Sequence, residues 1–207
     1  MFPDNDSAPM TKADEVIVVH QSIRWWSAFD ASVKCELSST AYRSLQGWIL
    51  IDPIELKKEA LDELIAEAPI KAVFLTNENH ARAAEFYRNR FQIPIWSSEK
   101  ARAKLEIKVD FVFHEATHGD LEILPIPGAT EGEVCFVAPE GVAILGDAIV
   151  NLPDCEFSLL PEKYAWDERK NRQSLQVLLD YPIEILIFAH GSPLRGKIRE
   201  RIEKLLG

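Results

Sequence analysis

A mixed α/β (α+β) fold, laid out as a four-layer αββα sandwich, is what this sequence predicts, and three observations predict it. The chain runs twice from a series of short β-branched and apolar segments into amphipathic helical segments, so two similar halves can pack sheet on sheet with helices outside. Its 207 residues, 47% of them hydrophobic, suffice for one well-buried domain and are too few for two ordinary ones. No repeat of solenoid period and no low-complexity tract interrupts the pattern. The expected organisation is therefore a flexible N-terminus over residues 1–14, rich in Asp and Pro, followed by one domain over residues 15–207.

The elements follow in order. Glu15 to His20, Val33 to Leu37 and Gly47 to Ile51 read as strands from their apolar and β-branched content, with polar breaks between them. Pro53 suits a first helical turn, and Leu56, Ala60, Leu61, Leu64 and Ile65 then recur at helical spacing, predicting a helix over 54–67. Ala72 to Leu75 is a short buried strand, and Ala84, Phe86, Tyr87 and Phe91 mark a second helix that ends before Ile93-Pro94. A short helix over 101–105 precedes strands at Val109 to Phe113, Leu121 to Ile126, Glu133 to Ala138 and Val142 to Leu145, the last two joined by a turn at Pro139-Glu140-Gly141. Trp166 to Leu179 reads as helix, Ile183 to Ala189 as a buried strand, and Leu194 to Leu206 as a charged closing helix.

Composition excludes several classes of partner. The formal charge of −10 repels phosphate backbones, and no compact Lys/Arg stripe offsets it, so nucleic acid is not expected. No run approaches the roughly 18 apolar residues of a membrane span, and Met1 to Glu15 lacks the apolar stretch of a signal peptide, which predicts a soluble cytoplasmic protein. Cys35, Cys135 and Cys155 are odd in number and widely spaced, which suggests free thiols and neither a disulfide framework nor a thiolate zinc site. There is no Gly-x-Ser-x-Gly elbow and no phosphate-cradling glycine loop.

Four segments carry the functional reading. Phe74-Leu75-Thr76-Asn77-Glu78-Asn79-His80-Ala81-Arg82 follows a strand and precedes a helix; Pro125-Ile126-Pro127-Gly128-Ala129-Thr130-Glu131-Gly132 is a turn; Leu145-Gly146-Asp147-Ala148 and Phe188-Ala189-His190-Gly191 each end a strand. In order and spacing they resemble the metallo-β-lactamase superfamily: its Leu-Thr-His-x-His-x-Asp-His signature, its Pro-Gly-His-Thr-x-Gly turn, its Gly-Asp segment and the segment supplying its final histidine. Trp48-Ile49-Leu50-Ile51-Asp52-Pro53 adds the strand ending in Ile-Asp that the family places before its first helix. The resemblance spans roughly residues 47 to 194 and implies that family's sandwich fold. It also implies a pair of divalent ions, yet Asn77, Asn79, Ala81, Arg82 and Ala129 stand where five ligands belong, and only Asp147 and His190 survive.

Amide oxygens bind zinc poorly, alanine offers no donor, and guanidinium repels a cation, so the family's dinuclear site is not expected here. The candidate pocket is Asn77, Asn79, His80, Arg82, Asp147 and His190, with no metal assigned. The resulting expectation is a non-hydrolytic binding or regulatory protein, acting on an unidentified small molecule or protein, with a homodimer as one expected assembly. The alternative is a hydrolase with a reduced site around Arg82, Asp147 and His190, either metal-free or with one divalent ion on His80, Asp147 and His190. Arg82 is expected to face Asp147 and pair with it, in place of the lost ions, or else to lie exposed. His80 reads equally as an exposed residue at a helix start, Asp147 as a turn residue, and His190 as a strand-end donor to a carbonyl. His114 and His118 suit a surface turn. Of the adjacent Trp25 and Trp26, one is expected on each face of a strand, in the core or on a partner or ligand surface.

Overall fold

The structure, a computed structural model, describes residues 11–153 and 157–207; Cys155 lies outside the described residues. Strands β1 (Ile17–His20), β2 (Ile23–Asp30), β3 (Cys35–Ser44) and β4 (Gly47–Ile51) open the chain, followed by α1 (Lys58–Glu67), β5 (Ile70–Phe74), α2 (Ala84–Phe91), β6 (Ile95–Ser97), α3 (Glu99–Arg102) and β7 (Phe111–Val112). The second half runs β8 (Thr117–His118), β9 (Leu121–Pro125), β10 (Val134–Ala138), β11 (Val142–Leu145), β12 (Ile149–Val150), β13 (Ser158–Leu159), α4 (Glu168–Ser174), β14 (Ile185–Phe188), β15 (Leu194–Arg195) and α5 (Ile198–Leu206). One sheet has seven strands in the order β1-β2-β3-β4-β5-β6-β7, and the other six in the order β15-β14-β11-β10-β9-β8.

Strand alternation explains the layers. On the first sheet Ile23, Trp25, Tyr42, Ile49, Ile51 and Phe74 point inward against Leu121, Phe136, Ile144 and Ile187 of the second. Their sequence neighbours Trp26, Leu50 and Val73 point the other way, onto Leu61 and Leu64 of α1 and Tyr87 of α2. On the second sheet Cys135, Val137, Leu145, Leu186 and Phe188 meet Ile198 and Ile202 of α5. Three apolar interfaces between four layers confirm the expected αββα sandwich.

Several expectations change in detail. The Trp25-Trp26 segment lies on β2, a strand missing from the series expected above, and both indoles are core, at 6% and 0% exposure. Of the alternatives open for this pair, the core is the one the structure bears out for both. The strand expected from Val33 begins at Cys35, because Lys34 takes a left-handed φ of 54° that belongs to the preceding turn. Helix α1 starts at Lys58 instead of residue 54, since the chain after Pro53 first runs extended and pairs Leu56 with Ala13. Ala13, expected within the loose N-terminal segment, is buried at 2% exposure and anchored by backbone hydrogen bonds to Glu55 and Lys57. The helix expected over 166–179 splits into α4 and a 3₁₀ segment at Leu175–Asp180. Among the described residues no helix is long and apolar enough to cross a membrane.

Candidate functional site

Two pairs of parallel strands, β4 with β5 and β11 with β14, end on the same edge of the sandwich. Parallel strands leave side chains at their carboxyl ends with no further ladder to enter, and ligands in α/β proteins bind there for that reason. The residues just past these four ends are Asp52, Thr76, Asp147 and His190. Asp52 adopts a left-handed φ of 49° and turns its carboxylate back into the protein, where it is 2% exposed. Its Oδ1 accepts the Thr76 N–H at 2.8 Å, and its Oδ2 accepts the Thr76 hydroxyl at 2.5 Å.

His80 completes this knot from a single turn of 3₁₀ helix capped by the Asn77 side chain. Its Nδ1 lies 2.8 Å from Asp52 Oδ2. A carboxylate only accepts, so Nδ1 carries the hydrogen and Nε2 faces the other way. His80 Nε2 is buried without a hydrogen-bond partner. It stands 3.2 Å from Asp147 Oδ1, close enough for charge attraction but not aligned as a hydrogen bond. From the opposite strand end, His190 Nε2 reaches the same Asp147 Oδ1 at 3.2 Å, while its Nδ1 lies 3.1 Å from the Glu36 carbonyl and 3.4 Å from Cys35 Sγ. The Asn77 amide donates to the other Asp147 oxygen at 3.1 Å. One carboxylate oxygen thus faces two imidazole nitrogens, each with its far side already engaged.

Charge follows from this packing. Burial acts to lower the His80 pKa, but the Asp147 and Asp52 carboxylates outweigh it and raise it to about 9. Burial likewise opposes charge on Asp147, and the rings of His80 and His190 more than reverse that, holding it well below the usual carboxylate range. His190 is raised as well, its partner Asp147 overcoming burial. Behind them Glu133, 1% exposed, is pushed well above the usual range by burial and by Asp147. It accepts the Ala148 N–H at 2.7 Å and so braces the turn that carries Asp147. Gly146 is what allows this approach: a Cβ there would lie 2.5 Å from Thr76 Oγ1 and 2.9 Å from Glu133 Oε1.

Arg82 corrects an expectation. It makes no ion pair with Asp147; its guanidinium donates to the carbonyls of Ser38 at 2.7 Å, Asp52 at 3.1 Å and Ala189 at 3.2 Å. The residue has a left-handed φ of 36°, which sends the side chain across the sheet ends to join the two halves. Asp147 is instead matched by His80 and His190. Arg82→Ala would strand three carbonyls that a charged donor satisfies, and stability should fall by about 3 kcal/mol or more. Arg82→Lys should recover little, because an ammonium cannot reproduce the fork. Denaturant unfolding of both variants checks this, and a parental midpoint for Arg82→Ala would refute the stapling role.

This arrangement opens into a cleft of about 830 Å³, lined by His80, Asp147 and His190 together with Asp30, Lys34, Cys35, Val150, Leu152, Leu160 and Tyr164. Asn79 and Arg82 also line it, whereas Asn77 is fully buried beneath Asp147. Ala129 is 3% exposed and packs with the apolar residues between the second sheet and α5, with no donor to offer. Asp52, Glu133 and Cys35 belong to the site although the sequence reading did not place them there. For Asp52 the signal was present, in the Ile-Asp that ends β4; for Glu133 and Cys35 nothing in sequence brings them near His190 or Asp147.

The residues present do not fit a dinuclear centre but do fit one cation. Among the described residues His80, Asp147 and His190 form the one group of three ligand atoms lying within 4.8 Å of one another. Separations of 3.2 Å are close to the edge of a tetrahedron with bonds of about 2.0–2.1 Å. Each histidine has its Nδ1 held by an outer acceptor, the arrangement that orients imidazole ligands.

Comparison with known proteins agrees with the fold. A family model described as the metallo-beta-lactamase superfamily matches residues 18–194. No curated protein matches the sequence. Among solved structures, a metallo-beta-lactamase from Pontibacter korlensis superposes with a TM-score of 0.75 at 18% identity, covering 93% of this chain and 98% of that one. One from Erythrobacter litoralis, with beta mercaptoethanol in its active site, gives 0.75 at 16% identity over 95% and 98%. The metallo-beta-lactamase FIM-1 from Pseudomonas aeruginosa, in its mono-zinc form, gives 0.71 at 13% identity over 95% and 96%.

Proposed function

The chain belongs to the metallo-beta-lactamase superfamily, and on that premise we propose that its cleft is a hydrolase-type active site for a small molecule, with one divalent cation held by His80, Asp147 and His190. The observation that carries this reading is His80 Nε2, a buried ring nitrogen with no hydrogen-bond partner, directed at the same carboxylate oxygen that His190 approaches. A buried polar atom without a hydrogen-bond partner is costly unless something binds it. The expectation of a non-hydrolytic module rested on the five replaced ligand positions, and His80 offers a donor that none of those positions includes.

A divalent ion supplies, when bound, Lewis acidity toward a carbonyl or a water. The chain does the rest. Asp52 holds one proton of His80 on Nδ1, and the Glu36 carbonyl does the same for His190, so Nε2 is the nitrogen of each ring that would face a cation once its own proton is displaced. Asn77 occupies one oxygen of Asp147 and leaves the other facing the cleft. The apolar wall of Val150, Leu152 and Leu160 limits water around a bound substrate and strengthens every charge interaction within.

Metal content tests this directly. Chain purified without chelator and dialysed against zinc should retain about one ion per molecule by elemental mass spectrometry, the ratio a three-ligand open site takes. His80→Gln and His190→Ala should each lose it while remaining folded by circular dichroism. Zinc-free wild-type protein would overturn the proposal. With zinc retained, turnover of chromogenic esters and thioesters by wild type and by neither variant would complete it.

A further inference from the structure

We propose that an aromatic recess at the open side of the sandwich, lined by Trp96, Phe113, His118 and Glu115, binds a small organic cation carrying an alkylated ammonium group. The recess follows from how the two sheets end. The first stops at β7 and the second at β8, each only two residues long. Trp96 on β6 and Phe113 just after β7 pack against the core between the sheets, but no strand beyond β8 covers them, and both rings stay half-buried. The Trp96 ring lies 4.9 Å from that of His118, at 70°, and 6.1 Å from that of Phe113. A cavity of about 240 Å³ opens among these side chains, and it has no lining residue in common with the candidate cleft.

The charges around the recess select the sign of the ligand. Aromatic faces are negative and attract a cation that comes within about 6 Å of the ring centre. No Lys or Arg lines the cavity, and burial holds His118 below its ordinary value of 6.5, so that ring is neutral at pH 7 and does not repel a cation. Glu115 supplies an unmatched negative charge. It is exposed and makes no hydrogen bond or ion pair among the described residues. The adjoining cavity shares Phe113 and Glu115 and adds Glu99 and Glu131, whose charges are already met by Arg102 at 2.8 Å and Lys100 at 3.0 Å.

The walls also select the type of cation. An ammonium with several N–H groups requires an acceptor for each, whereas rings and aliphatic carbon such as Val112 and Ile123 offer few. Alkyl groups on the nitrogen remove that requirement and pack on the rings. The cavity is smaller than the roughly 300–1,000 Å³ of sites for drug-sized ligands, which limits the occupant to a head group of choline size.

Choline is the probe, and its uncharged isostere, with a quaternary carbon in place of the nitrogen, is the control. In nitrogen-edited NMR spectra choline should saturably shift the Trp96 indole N–H and the amides of residues 112–118. It should bind at least about tenfold more tightly than the isostere, the margin of a partly desolvated cation–π site. Glu115→Gln, at an exposed position, should weaken choline by about threefold and leave the isostere unchanged. Trp96→Leu should erase the preference for choline, read by saturation transfer to its methyl protons, and Trp96→Phe should restore most of it. Equal affinity for the two compounds, parental choline affinity in Glu115→Gln, or shifts confined to the cleft around His190 would overturn the proposal. Chelator should leave the titration unchanged, and a titration that chelator abolishes would place choline in the cleft and overturn it too.

Discussion

Replacing Asp147 with alanine should remove both the metal and a large part of the stability, the largest single-residue loss expected anywhere in this chain. Asp147 is 6% exposed and is the shared partner of two imidazoles whose charge it sustains. Removing one member of a buried charge cluster leaves the others uncompensated, at about 3–5 kcal/mol. The same carboxylate is the only anionic donor among the three proposed ligands, so zinc affinity should fall by more than the 10–100-fold that loss of an outer-sphere partner causes. Asp147→Asn separates the two effects: it keeps the shape beside Asn77 but neither the charge nor the strong donor, so affinity should fall as far while stability recovers in part. Denaturant unfolding with chelator present reads stability, and competition against a zinc dye reads affinity. An Asp147→Ala protein with parental unfolding would show that the carboxylate does not balance His80 and His190.

The second large effect is on pH dependence, and it should change direction with metal. His80 is raised from 6.5 to about 9 in the metal-free chain. The folded state binds the proton more tightly than the unfolded state does, so the stabilisation is full below about pH 6.5 and is lost as pH rises through 9; it amounts to something on the order of 3 kcal/mol. Glu133 acts in the same sense at lower pH, since its raised carboxyl favours the folded state only while protonated. Asp147 acts oppositely, its stabilisation being present above the ordinary carboxylate range and lost as pH falls through its depressed value. Metal-free protein should therefore be most stable in mild acid and weaken steadily toward pH 9. Zinc competes with the proton on His80 Nε2, so stabilisation by zinc should grow over the same interval. Unfolding midpoints at pH 6 and 9, with chelator and with zinc, check both slopes; parallel curves in the two conditions would place the binding elsewhere.

His80 and Arg82 show how far the site was readable. Both were singled out from the motif at the start of the second helix, together with Asp147 and His190, and all four meet at the cleft. Their partners were not readable. Arg82 looked like the natural partner of Asp147 because it stands in the register of a motif ligand, and its left-handed backbone sends the fork to three carbonyls instead. His80 looked like a helix-start residue on the surface, yet Asp52, which is 28 positions earlier, draws its ring inward. Asp52 had been read only as a mark of fold.

Apolar alternation and strand-to-helix punctuation are local properties, and they were enough to predict the αββα sandwich that the structure shows. Which residues stand at the positions of the family's ligand motif was likewise visible residue by residue. Which donors remain within 3.2 Å of one another, that Cys35 stands behind His190, and that Glu133 lies buried beneath Asp147 depended on strand ends brought together from four separated segments. A metal site or a charge cluster is made by convergence in space, and convergence is a property of packing rather than of order along the chain.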